Sequence, residues 1–126
     1  MEIFETRIFN DLPYLVFPDK ILKIKLGDSL PSLRAFVYQK GNLFGDPLPL
    51  ELAGLTIFLN LYNNRNQLVS SGLGQVSDSD RALIEYFWKP FDFKEAGVYY
   101  AEFRCQDIDG TTFSLQLNDR IQVIVF

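Results

Sequence analysis

Residues 82–106 read ALIEYFWKPFDFKEAGVYYAEFRCQ, and their periodicity decides the fold class. In the first half Ala82, Ile84, Tyr86 and Trp88 share one face, while Leu83, Glu85, Phe87 and Lys89 share the other. In the second half Tyr99, Ala101, Phe103 and Cys105 alternate with Val98, Tyr100, Glu102, Arg104 and Gln106. A period of two marks strands that lay one face on a core. Pro90 ends the first strand, because it lacks a ladder donor and restricts Lys89 before it. Gly97 permits the sharp turn into the second. The stretch is strand, acidic corner, strand.

Working outward, the same alternation recurs. Leu22, Ile24 and Leu26 alternate with Lys23 and Lys25, and Leu33, Ala35 and Val37 alternate with Arg34, Phe36 and Tyr38. Between them Gly27, Asp28, Ser29 and Pro31 form a turn cluster. Lys40 to Gly54 is rich in glycine and proline and reads as a long irregular connection. Leu55, Ile57, Leu59 and Leu61 then alternate with Thr56, Phe58, Asn60 and Tyr62 as a core strand. Asn63-Asn64-Arg65-Asn66 predicts a hairpin turn into Gln67–Ser71, and an acidic link ends at Asp80. Asp107-Ile108-Asp109-Gly110 predicts another hairpin, after which Thr112–Leu117 and Ile121–Phe126 close the sheet. Seven to eight short strands with no helical period predict an all-β antiparallel sandwich. Within it, the spacing Gly97-x-Tyr99-x-Ala101 resembles the tyrosine corner of immunoglobulin-like sandwiches, whose tyrosine stands two residues before an inward Cys position. Ala101 fills that place, so the resemblance is to the corner and not to the disulfide.

Length and composition agree. A chain of 126 residues fits one domain. Twelve Phe, six Tyr and one Trp suit the half-buried surface of a sheet. The net charge of −4, with acids and bases interspersed, gives nothing for a polyanion, so nucleic acid is not expected as a partner. Cys105 is the only cysteine, which excludes an internal disulfide and leaves stability to packing. The N-terminus has acids at Glu2, Glu5 and Asp11 and does not read as a signal peptide. No stretch approaches a membrane span. The expectation is a soluble chain made in the cytoplasm.

Residues 1–19 differ from the rest. Phe4, Phe9, Tyr14 and Phe17 stand among charges, with Pro13 and Pro18, in neither a helical stripe nor one clean strand. Two readings are open: an extra edge strand with a loop over its own sandwich, or an extended arm that buries its aromatics on a neighbouring subunit. Residues 20–126 form the sandwich under either.

Catalytic chemistry finds little support. The chain has no histidine, the commonest general base and transition-metal ligand. Cys105 lies on the inward phase and reads as a buried structural thiol. Asp78-x-Asp80 and Asp107-x-Asp109-Gly110 resemble fragments of calcium loops, but counting from Asp107 puts Thr112 and Asn118 where an EF-hand needs Gly and Glu. Solvated turns explain these carboxylates, with a calcium site assembled from several loops as the alternative. No cofactor is expected. Tyr86 and Trp88 share the phase of Ile84 and belong to the core. Tyr38 and Tyr100 take the opposite phase and are candidate protein contacts, where tyrosine is enriched.

From about Leu48 onward the order of pieces is distinctive: Leu52–Leu59, Asn63–Leu68, Val76–Asp80, Ile84–Trp88, then Asp92, Ala96–Phe103 and Asp109-Gly110. This resembles the small immunoglobulin-like domain of tailed-phage virion proteins, similar to the N-terminal domain of siphophage upper baseplate proteins. Its most specific part is Ala96-Gly-Val-Tyr-Tyr-Ala-Glu-Phe103. Baseplate proteins of that kind continue into further regions, and residues before Lys20 have no counterpart in them. The resemblance implies a non-enzymatic structural component of a virion, in baseplate, tail or head decoration. Its partners would be other virion subunits, copies of itself included. On that reading Phe4, Phe9, Tyr14, Phe17, Tyr38, Tyr100 and Phe126 are the expected contact residues, and Ile121–Phe126 offers an unpaired edge for strand addition. The rival expectation is a carbohydrate-binding adhesion module with a row of exposed aromatics on one sheet face.

Overall fold

The computed structural model describes residues 14–40, 47–107, 109–110, 112–114 and 120–126. Phe4 and Phe9 therefore lie outside the described residues. The described strands are, in order, β1 (Tyr14–Val16), β2 (Ile21–Ile24), β3 (Leu33–Lys40), β4 (Pro47–Pro49), β5 (Thr56–Asn63) and β6 (Leu68–Leu73). They continue with β7 (Gln75–Asp78), β8 (Leu83–Tyr86), β9 (Gly97–Gln106), β10 (Thr112–Ser114) and β11 (Ile121–Val125). Among the described residues there is no helix. Setting aside the three-residue strands β1, β4 and β10 leaves eight of the eleven, at the upper end of the expected number.

The strands form two sheets. One has the order β1-β3-β8-β7, with β4 added beside β3; the other runs β2-β11-β9-β5-β6, with β10 added beside β9. Alternation places one row from every long strand inward: Leu33, Ala35 and Val37 from β3, Ile57, Leu59 and Leu61 from β5, and Tyr99, Ala101, Phe103 and Cys105 from β9. Leu22, Ile24, Ile84, Tyr86, Ile121, Val123 and Val125 complete the layer between the sheets. This is the packed interior that stacked sheets require.

The stretch 82–106 is the hub. β9 pairs with both β5 and β11, and its corner folds Phe93 between Trp88 and Tyr99. Ring centroids are 5.3 Å apart for Tyr86–Trp88 and 4.9 Å for both Trp88–Phe93 and Phe93–Tyr99. Tilted and edge-on contacts of this kind add to simple burial. The Tyr99 hydroxyl donates to the Glu95 carbonyl at 2.8 Å, closing the expected tyrosine corner. Beside it, the buried Asp92 carboxylate accepts from the Tyr86 hydroxyl (2.8 Å), the Lys89 N–H (2.7 Å) and the Ser70 hydroxyl (2.5 Å). Asp92 ties the corner to β8 and to β6.

Turn chemistry follows the sequence. The Asn63 carboxamide oxygen accepts from the backbone N–H of Arg65 and Gln67, and Asn66 takes a φ of 62°. In the β9–β10 hairpin Gly110 donates to the Asp107 carbonyl at 3.0 Å with φ of 85°, a conformation that suits glycine.

Two features depart from expectation, and a third bears on the two readings of residues 1–19. The connection from Lys40 to Gly54 contains β4, which pairs with Tyr38–Lys40 despite its prolines. Prolines are tolerated there because β4 is an edge strand. Second, β11 is not an edge: β9 flanks it antiparallel and β2 flanks it parallel. The parallel pair arises because β1 and β2 belong to different sheets, so the short link at Phe17–Lys20 carries the chain across and lays β2 along β11. Phe126 extends that pairing, donating to the Ile24 carbonyl and accepting from the Leu26 N–H. The expected unpaired terminal edge is thereby corrected. Third, within residues 1–19, Tyr14–Val16 are an edge strand of this sandwich, paired with Phe36–Tyr38 and burying Leu15. Among the described residues before Lys20, Tyr14–Val16 thus form the extra edge strand of the first reading.

Candidate interaction surfaces

The outer face of the six-stranded sheet is built by the outward phase of five strands. Register aligns Leu68 with Tyr62, Tyr62 with Tyr100, Tyr100 with Gln122, and Gln122 with Ile21. One row thus crosses the whole sheet, with the two half-exposed tyrosines at its centre. Val98 and Ile124 pair on one side of it. On the other side lies Glu102, which is buried although its strand phase points outward. The cause is Arg120: its Nε donates to Glu102 at 3.1 Å, its Nη1 donates to the Asn66 carboxamide at 2.8 Å, and its guanidinium covers the Tyr62 ring at 4.4 Å. Arg104 approaches the same carboxylate at 3.9 Å. A guanidinium over an aromatic face combines stacking with fixed donors. The result is an ordered aromatic platform whose one carboxylate is already paired.

The outer face of the five-stranded sheet carries a second aromatic group. Tyr14 and Tyr38 are cross-strand partners with centroids 6.0 Å apart, and Phe36 lies 6.4 Å from Tyr38 along β3. Arg81 stands 5.7 Å above the Phe36 ring. All three aromatics are half-exposed.

The expected contact residues divide accordingly. Tyr100 stands on the first platform, and Tyr38 with Tyr14 on the second. Phe17 is engaged within its own fold, its ring stacked 6.4 Å from Phe103 and packed on the core. Phe17 thus packs within its own fold, because Leu15 draws this segment into the β1–β3 pair. The Phe126 side chain is 65% exposed at the sheet's end. Tyr62 and Arg120 were missed by sequence reasoning. Tyr62 shared its outward phase with Tyr100, which was a usable signal; nothing local in the sequence points to Arg120.

The titratable groups outside these faces act in structure. Burial pushes the Cys105 thiol up to about 12, so it is held neutral. Asp78 accepts from the N–H groups of Asp80 and Arg81 and from Arg81 Nε at 2.8 Å, and the Arg81 contact holds its carboxyl below the usual range. Asp107 accepts from the Asp109 N–H at 3.0 Å. Burial pushes Glu85 up, but the hydroxyls of Ser32 and Ser77 and the charge of Arg34 outweigh it and hold the carboxyl low. Among the described residues no group of three or more His, Cys, Asp or Glu is arranged to hold a metal ion.

Fold and faces together define an all-β sandwich with a tyrosine corner. No protein-family model matches the chain, and the curated proteins yield no relative. Among solved structures it is similar to that of CopC from Methylosinus trichosporium OB3b, at 12% identity, over 90% of this chain and 92% of that one, with a TM-score of 0.49.

Proposed function

We propose that this protein is a non-enzymatic structural component of a tailed-bacteriophage virion, made in the host cytoplasm and acting through protein contacts. The observation that carries the reading is the segment Ala96–Phe103. Its sequence resembles that of the immunoglobulin-like virion domains, and it lies at the tyrosine corner and in the central strand β9. The platform around Tyr62 and Tyr100 supports contact with other subunits: its aromatics are presented on a rigid sheet and its one carboxylate is already paired with Arg120, which lowers the desolvation cost of covering it. The test is mass spectrometry and immunogold labelling of purified particles from a host expressing the chain. Presence at a fixed stoichiometry supports the reading. Absence from particles, with the chain free in the lysate, refutes it.

A second reading is a carbohydrate-binding adhesion module, favoured by the row Tyr14, Tyr38 and Phe36 on one sheet face. It predicts glycan binding lost in Tyr38→Ala with Tyr100→Ala unaffected. A glycan array with no signal removes it.

A further inference from the structure

Strand edges are the remaining hydrogen-bonding surface, and here they are not equivalent. Edges are normally protected by charge, proline, bulges or shortness. β2 carries Lys23, with Lys25 following; β4 begins and ends in proline; β7 has a register shift and Asp78; β1 and β10 are three residues long. β6, the sequence LVSSGL, has neither charge nor proline, and its register shift falls at its start, opposite Leu61 and Tyr62. Its remainder, Ser70–Leu73, pairs regularly with β5, and no described strand pairs with its other side.

Two long uncharged runs occur in the chain, 52–64 and 66–77. The first contains β5, which is flanked on both sides and buries Ile57, Leu59 and Leu61, so its lack of charge follows from its place. The second is at an edge, where folding alone does not require it. Leu73 is 61% exposed there.

The backbone is aimed outward in a definite pattern. Gly74 donates to the Ile57 carbonyl at 2.9 Å. Antiparallel alternation then turns the N–H and C=O of Gly72 toward β5, and those of Ser71 and Leu73 toward the open side. Two donors and two acceptors face away from the molecule.

We propose that this edge pairs with the same edge of a second copy, antiparallel, about a two-fold axis at Gly72. That register sets Ser71 opposite Leu73 of the second copy and Leu73 opposite its Ser71. All four outward backbone groups on each copy's regular segment are then bonded at once, and the two six-stranded sheets become one. The two Gly72 residues face each other across the axis with no side chain to separate the backbones. No like charges meet, and each Leu73 is covered by the other copy. A second copy fits better than an unrelated strand because a two-fold antiparallel pair is self-complementary by construction. The inference rests on the reading that the chain works through protein contacts, and on no particular position in a particle.

The test combines sedimentation equilibrium with amide hydrogen exchange of the full chain over a concentration series. A reversible dimer is expected, with the amides of Ser71 and Leu73 gaining protection as concentration rises and that of Gly72 unchanged. Leu73→Lys places like charges near the axis and should weaken the dimer by at least about tenfold, with circular dichroism unchanged. Ser71→Pro removes an outward donor while sparing the β5 ladder; if that variant fails to fold, Leu73→Lys decides. A wild-type chain that stays monomeric, or a dimer in which neither Leu73→Lys nor amide protection responds, overturns the proposal. Particle incorporation of Leu73→Lys separates the two readings. A monomeric wild-type chain found in particles refutes edge pairing alone, whereas an edge-paired dimer absent from particles refutes the virion reading alone.

Discussion

Replacing Asp92 by alanine should be among the most damaging single changes to stability in this protein. The carboxylate is 3% exposed and accepts three hydrogen bonds, one from β8, one from the corner backbone and one from β6. Removing it strands one donor that cannot reach water easily, the Tyr86 hydroxyl, on a residue 1% exposed, and frees the Lys89 N–H, which belongs to an exposed residue. Each buried donor left without a partner costs about 1–3 kcal/mol. Ser70 is half-exposed and its hydroxyl can turn to solvent, so it adds little. The release of a buried carboxylate offsets part of the loss. The net destabilisation is about 2–4 kcal/mol, a large share of the roughly 5–15 kcal/mol of a typical domain. Tm should fall by roughly 10–20 °C. Asp92→Asn is the informative comparison. Its carbonyl oxygen can hold the Tyr86 and Lys89 donors while its amide faces the Ser70 oxygen, so it should lose only about 1–2 kcal/mol. Urea denaturation of both variants, with Tyr86→Phe and the double variant Tyr86→Phe/Asp92→Ala, closes a cycle. In the alanine background, removing the Tyr86 hydroxyl should cost much less than it does in wild type, because the orphan donor goes with it. If Asp92→Ala costs under about 1 kcal/mol, or Asn costs as much as Ala, the account of this node is wrong.

Four further outcomes are expected. A Cβ at Gly72 would lie 2.7 Å from the Tyr86 hydroxyl oxygen, which Asp92 fixes, so Gly72→Ala should lose about 1–3 kcal/mol in urea denaturation. Tyr99→Phe breaks the corner bond to Glu95 and should cost about 1 kcal/mol in the same assay. The Cys105 thiol should resist Ellman's reagent in the native state and react at the rate of unfolding. Because its folded pKa is raised to about 12 from an ordinary 9.0, its contribution is full below pH 9 and is lost as pH rises toward 12. For Glu85 the sign is opposite: its folded pKa is lowered from 4.5, so its contribution is present above that value and disappears as pH falls through the folded pKa. Glu85→Gln should flatten the acid limb of a stability–pH curve, and an unchanged limb would remove Glu85 as its source.

Much of the fold was legible because strand burial is a local code. The inward sets of β3, β5 and β9 were visible as simple alternation, and Tyr99 was legible as a corner because the glycine and its spacing fix the local geometry. The Asn63–Asn66 and Asp107–Gly110 turns were legible for the same reason, since their residues satisfy their own backbone within a few positions. The interaction surfaces were only half legible. Tyr38 and Tyr100 announced an outward phase, but their neighbours Tyr14 and Tyr62 are set by register between strands far apart in sequence.

The sequence by itself determined that this chain is an all-β sandwich with a tyrosine corner, a buried thiol and outward tyrosines. Period-two patterning and turn chemistry act over a few residues, and one-sided burial leaves them a single consistent answer. Tertiary structure alone decided three things. β2 lies parallel to β11, which turns the last strand from an edge into an interior one. Arg120 covers Glu102 and Tyr62, making an outward glutamate a buried one. Among the described strands, β6 is left as the longest uncharged open edge. Each depends on which strands become neighbours, a matter of long-range pairing that no local pattern encodes.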